Sequence, residues 1–237
     1  MIDQDRLMSA LDRTWPAARV IRSGQWVLRQ GNGGGQRVCA ATAADPNCLD
    51  AVGDAETEMR TMGQEPLFQI RPIVDAKLDK ALEMRGYAIR DAVHFYHSQP
   101  QALIAPTSVP VVNIWPPLAI VKTIWADAGI GTGRLNVMAR ARGPKTALLA
   151  RKGNRPAGAA FVAIDQDVAM IHAIEVPHHA RRQGAGADIL RAAAAWALDH
   201  DATTLSLAVT RANVAANALY ASLGMSSLGG YHYRVAQ

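Results

Sequence analysis

Residues 169–197 read AMIHAIEVPHHARRQGAGADILRAAAAWA, and the fold turns on them. AMIHAIEV is a short, largely apolar run that predicts a strand ending at Val176. A polar loop, PHHARRQ, follows, and Gly184 and Gly186 then open an alanine-rich helix predicted over about 183–199. Glycines at a helix start let a ligand approach backbone N–H groups for which the helix has no partners, and the helix dipole favours an anion there by about 0.3–1 kcal/mol. Arg181 and Arg182 add positive charge beside the same spot. The pattern describes a diphosphate cradle. A phosphate-binding Walker loop needs Gly-Lys-Ser/Thr, whereas Gly186 is followed by Ala187 and Asp188. A dinucleotide fingerprint needs a third glycine where Ile189 stands, and an acidic residue closing the next strand, TTLSLAVT (203–210), which has none.

Outward from this segment, the C-terminal half predicts a strand (VPVVNIW), helical stretches over about 117–141, three strands (TALLARK, AGAAFVAI, AMIHAIEV), the helix, the strand TTLSLAVT, a helix over about 213–223 and the ending YHYRVA. A meander feeding strand–helix–strand–helix implies a mixed α/β (α+β) sheet with one crossover unit. The N-terminal half predicts a helix from about Asp3 to Thr14, then two strands, ARVIRSGQWVLRQ and QRVCAAT, joined by GNGGG as a flexible hairpin tip. A helix (Asp50–Met62), a strand (PLFQIRP), a helix (Asp75–Arg85) and a strand (YAIRDAVHFYH) complete it. The proline-bearing run SQPQALIAPTSVP at 98–110 reads as a linker between the two. ALEMRGY (81–87) and LYASLGM (219–225) form a weak internal repeat: a helix end, a capping glycine, then an apolar residue opening a strand.

The 237 residues are 49% hydrophobic and 19% charged, which excludes intrinsic disorder, collagen-like and coiled-coil architectures. No apolar run reaches the roughly 18 residues of a membrane span. The charged, amphipathic N-terminus is not read as a signal peptide, and Cys39 and Cys48 are expected to be free thiols, so a cytoplasmic location is expected. The net charge of +5 lies in the C-terminal half: residues 106–237 carry 13 Lys and Arg against 7 Asp and Glu. Such a surface attracts polyanions, phosphorylated cofactors among them. Nucleic acid is not an expected partner, because no recognition-helix pattern or interleaving of aromatic and basic residues is present.

Arg181-Arg182-Gln183-Gly184-Ala185-Gly186 resembles the Q/R-x-x-G-x-G/A signature of the GNAT superfamily of N-acetyltransferases. A second signature of that superfamily is matched by Asn213, Ala216, Leu219, Tyr220 and Gly224, with Met225 where an aromatic is usual. The resemblance is firm over about 155–237 and extends plausibly from 106. It implies a catalytic GNAT domain at 106–237 and, at 1–100, a degenerate GNAT-like N-terminal domain, as in tandem GNAT proteins: two mixed-sheet halves, the second bearing the acetyl-CoA-binding strand–loop–helix. By the same resemblance, acetyl-CoA is the cosubstrate, no metal is expected, and the acceptor is a primary amine that nothing in the sequence names. Backbone amides from Arg182 to Ala187, those of Gln183, Gly184, Ala185 and Gly186 among them, would hold the pyrophosphate, with Arg181 beside them as a further coenzyme-binding residue. A side chain at Gly184 would then fill the phosphate space. Ile174 to Val176 would bind the pantetheine arm through backbone groups freed where their strand splays from TTLSLAVT. Asn213 would bond the same arm, although a helix-capping Asn needs no ligand.

Tyr220 is the implied general acid for the departing thiolate. Glu175, the only acidic residue of its strand, is the candidate to draw a proton from the amine through water, or else it pairs with Arg181 or Arg182. His172, three positions back, is expected on the opposite face as a packed or hydrogen-bonded residue. His178 and His179 are read as solvated loop residues, and Trp196 as packing on the sheet. The implied reaction is direct attack of the amine in a ternary complex. The alternative is a non-catalytic acyl-CoA sensor or interaction module.

Overall fold

The computed structural model describes residues 2–45 and 51–236. Cys48 and the expected helix start at Asp50 lie outside the described residues. Helix α1 (Gln4–Thr14) is capped by Asp3, whose carboxylate accepts from the Arg6 amide. Strands β1 (Arg19–Ser23), β2 (Trp26–Gln30) and β3 (Thr42–Ala43) make a small antiparallel sheet in that order. The expected long first strand is thus itself a hairpin, turning at Gly24 with φ +53°. GNGGG is no hairpin tip; it leads into a 3₁₀ turn, Gln36–Val38. The pattern misled because Gly24 offered one turn glycine against four in GNGGG, whereas the left-handed position and strand pairing decided the outcome. Helix α2 (Val52–Thr61), strand β4 (Leu67–Ile70), helix α3 (Ala76–Met84) and strand β5 (Tyr87–Ser98) follow as the sequence predicts.

After the 98–110 segment come β6 (Val111–Ile114), α4 (Ala119–Asp127), α5 (Thr132–Arg140), β7 (Lys145–Lys152), β8 (Arg155–Asp165), β9 (Val168–Glu175), α6 (Ala185–Leu198), β10 (Thr204–Thr210), α7 (Val214–Ser222) and β11 (Ser226–Ala236). Eight strands form one mixed sheet in the order β4-β11-β5-β10-β9-β8-β7-β6. Only β9 and β10 run parallel, joined through α6 as the crossover. The final strand β11 lies between β4 and β5, and β5 in turn borders β10. The sheet is therefore continuous across the linker segment.

Alternation along the strands builds two cores. On β8, Ala160, Val162 and Ile164 face α6, where Ile189, Leu190, Ala193 and Trp196 pack on them. Ala159, Phe161 and Ala163 face the other way, onto Trp15, Trp125, Val137 and Met138. α1 closes a third cluster with Leu7 and Leu11 against Phe95, Met170 and Tyr231. No helix among the described residues is long and apolar enough to cross a membrane.

Candidate active site

The β9–β10 ladder runs from Val168 opposite Thr204 to Ile171 opposite Leu207 and stops there, although both strands continue. The strands part after Ile171, which leaves Ile174 to Val176 free of β10 as the resemblance implies, with the parting beginning earlier on the strand. On its other side β9 stays paired to β8, but with a bulge: Phe161 opposes His172 and Ala159 opposes Glu175, so β9 spends one extra residue. Ala173 absorbs it with φ +51°, a costly conformation for a residue with a Cβ. The Trp125 indole on α4 donates to the Ala173 carbonyl at 2.9 Å and pins the distortion. His172 and Glu175 consequently lie on the same face, not on opposite faces as strict alternation would have it.

Beyond Glu175 the chain makes a 3₁₀ turn (His178–Ala180) and enters α6. Arg182 (φ +57°) and Gly184 (φ +89°) are both left-handed, an arrangement that turns successive amides toward one concavity and favours anions. Gly184 offers no side-chain cap, so the first-turn amides of Ala185, Gly186 and Ala187 have no intrahelical acceptor. These features fit a pyrophosphate. A Cβ at Gly184 would meet Ser108 Oγ at 2.7 Å. Ser108 is held in turn by Asp188, a fully buried carboxylate that accepts from the Ser108 and Val109 amides and from Arg191. The role of Asp188 was invisible in the sequence, because its partners are 79 and 80 residues away. Arg181 folds onto its own loop, its Nε donating to the Val176 carbonyl at 3.1 Å. Gln183 bridges Lys152 and the His179 carbonyl. His178 and His179 are exposed.

Asn213 caps α7, its side-chain oxygen accepting from the Ala216 amide. Tyr220, on the same helix, is buried with its ring against Tyr96. Burial, with Glu175 and Tyr96 nearby, pushes its phenol up to about 12. Glu175 is raised above the ordinary carboxylate range by burial, with Arg181 and Arg134 pulling it partly back. Among the described residues neither Arg181 nor Arg182 forms an ion pair with Glu175, although the charge of Arg181 still acts on it through space. His172 is buried, its Nε2 2.9 Å from Thr14 Oγ1 and its ring tilted on Trp15, and burial together with Arg37 holds it neutral, well below the usual imidazole range.

Two clefts meet here. One, of about 970 Å³, is lined by the residues to which the resemblance assigns a role at the site: Ile174, Glu175, Val176, the run Arg181 to Ala187, Asn213 and Tyr220. The other, of about 500 Å³, opens beside the bulge and adds residues from the N-terminal half, among them Trp15, Gly34, Gly35 and Arg37. Ile174, Glu175, Asn213 and Tyr220 belong to both. Residues 121–225 match the model of the Acetyltransferase (GNAT) family. Over these residues the chain matches a GNAT acetyltransferase domain. The chain is 24% identical to an uncharacterized N-acetyltransferase of Bacillus subtilis, YobR, over 98% of this chain and 96% of that one. In three dimensions it resembles a GCN5-related N-acetyltransferase from Kribbella flavida, with a TM-score of 0.77 and 20% identity over 100% and 96% of the two chains. A tandem GNAT protein from the clavulanic acid biosynthesis pathway aligns over 92% of this chain and 81% of its own, with a TM-score of 0.63 and 14% identity. These likenesses establish the shared fold of the GNAT domain and its surroundings.

The sequence did not single out Arg37 or the glycines before it for the site, since they carry no motif; Arg37 reaches the cleft against Tyr231 of β11 and His172 of β9.

Proposed function

We propose that the protein is an N-acetyltransferase that moves acetyl from acetyl-CoA to a primary amine by direct attack in a ternary complex, with 106–237 as the catalytic GNAT part and 1–100 as a degenerate GNAT-like part that walls the acceptor side. The observation that carries this reading is the junction of the two clefts at Glu175 and Tyr220. The amides of Arg182 to Ala187 would bind the pyrophosphate, and the Asn213 side-chain NH₂ and the free edge of Ile174 and Glu175 would orient the pantetheine arm. Polarisation of the thioester carbonyl by a β9 amide, with alignment of the two reactants, supplies most of the rate.

An amine with pKa about 10 costs roughly 4 kcal/mol to deprotonate at pH 7. Glu175 takes that proton through water, and its raised carboxyl keeps it a competent base near neutrality. Tyr220, protonated at all accessible pH, donates to the leaving sulfur. A thiol of pKa about 8.5 leaves tolerably without help, so the base matters more than the acid. A cytoplasmic setting belongs to this reading. A screen of amines that detects free thiol tests it: one or more amines should release thiol and gain an acetyl group, without a burst from acetyl-CoA alone. Coenzyme binding with no acceptor acetylated across the screen would instead favour a sensor.

A further inference from the structure

We infer that the acceptor carries a carboxylate as well as its amine, and that the guanidinium of Arg37 holds that carboxylate in the cleft beside the β9 bulge. The inference rests on the N-acetyltransferase reading and narrows its substrate class. Arg37 sits in the 3₁₀ turn Gln36–Val38, and its side chain points into the cleft that ends at Glu175 and Tyr220. Its Nε donates to the Tyr231 hydroxyl at 3.2 Å, and Nη1 lies 3.4 Å from His172 Nδ1. Two phenols, Tyr231 and Tyr233, keep it charged against the cost of burial. No carboxylate among the described residues reaches it.

The two most deeply buried arginines each have a carboxylate partner. Arg29 and Arg234, whose side chains are 8% and 5% exposed, pair with Asp12 at 2.6 Å and Asp79 at 2.7 Å. Arg71 and Arg191 pair with Asp75 and Asp188. A half-buried cation without a counter-ion loses part of its hydration, and a ligand anion offsets that loss. Arg134 lines the same cleft and adds a second guanidinium. With Nε and one Nη engaged, the fork of Arg37 retains N–H groups suited to a planar carboxylate.

The opposite end of the ligand is set by the bulge. His172 and Glu175 share a face two pairing positions apart, about 7 Å along the strand. A carboxylate at Arg37 therefore leaves an amine several ångströms away, on the side of Glu175. The cleft, about 500 Å³, suits a small molecule of this kind.

The test compares steady-state kinetics for matched pairs that differ only in the carboxylate: lysine against cadaverine, ornithine against putrescine, 4-aminobutyrate against propylamine. The carboxylated member of at least one pair should win by tenfold or more in kcat/KM, chiefly through KM. In R37M that preference should vanish through a KM rise for the carboxylated amine, and R37K should retain part of it. Should R37M fail to fold, the wild-type pairs and R37K decide the matter. Equal kcat/KM within every pair, or a preference that survives R37M, overturns the inference while leaving the acetyltransferase reading intact. Release of thiol with no amine at all overturns both.

Discussion

Glu175 and Tyr220 respond to the same burial in opposite functional senses. A carboxyl raised above its ordinary range is a better base near neutrality, and a phenol raised to about 12 is an acid that never runs out of protons in the working range. E175Q should lower kcat/KM by about 10²-fold or more, the scale of a positioned general base, and abolish the acidic limb of the pH profile, which in the wild type should lie above the usual carboxylate range. The same variant should be more thermostable at pH 7. A carboxyl whose folded pKa is raised favours the fold when protonated, so its ionised form weakens the fold at neutral pH, and the gain on substitution should fade as pH falls through the raised folded pKa. Thermal melts at pH 7 and 4 check the sign. Y220F should reduce kcat by about tenfold with little change in melting temperature, since the ring keeps its contact with Tyr96 and the hydroxyl has no protein partner among the described residues. Unaltered turnover in Y220F would sink the acid assignment. Both residues were singled out in the sequence, Tyr220 by the second signature and Glu175 as the only acidic residue of its strand; the state of their protons was not legible, because burial is set by residues far along the chain.

At the scale of elements, β9 is where the site is made. Its ladder to β10 ends at Ile171, its ladder to β8 slips by one residue at Ala173, and the Trp125 indole holds the slip in place. The splay followed from the sequence resemblance. The bulge did not, since a β-bulge is a mismatch between two strands and no single strand encodes it. W125F removes the donor while keeping a large apolar ring in the α4 core. It should leave the Ala173 carbonyl short of a partner, cost about 1–3 kcal/mol in denaturant unfolding, and reduce kcat more than it raises the KM for acetyl-CoA, because Glu175 moves while the α6 loop stays. An intact kcat with the full stability loss would mean that the bulge persists without the indole. The α6 loop illustrates the reverse case: its left-handed Gly184 was readable as a helix opening, yet what crowds that glycine is Ser108 from the linker segment, fixed by Asp188.

At the scale of the molecule, the division suggested by 98–110 meets a continuous sheet. β11 finds its neighbours β4 and β5 only in the N-terminal half, and β10 is covered by β5. A fragment of residues 106–237 would lose both partners of β11 and bare the edge of β10, a recipe for aggregation. Expressed alone it should show no cooperative unfolding transition, whereas co-expression with residues 1–105 should restore a soluble, coenzyme-binding complex. Cooperative melting and coenzyme binding by the fragment alone would show the halves to be independent. The amino-acid sequence by itself determined the strand–loop–helix of residues 168–198 and the parallel crossover through α6. Those depend on short-range causes: glycine conformations, orphan amides at a helix start, and apolar periodicity. Only the tertiary structure decided that His172 and Glu175 share a face, that Arg37 arrives from 135 residues away to lie against His172, and that Trp15, Gly34, Gly35 and Arg37 line the cleft beside the bulge. Register between strands and contacts between distant segments are properties of the packed whole, and the local pattern carries no record of them.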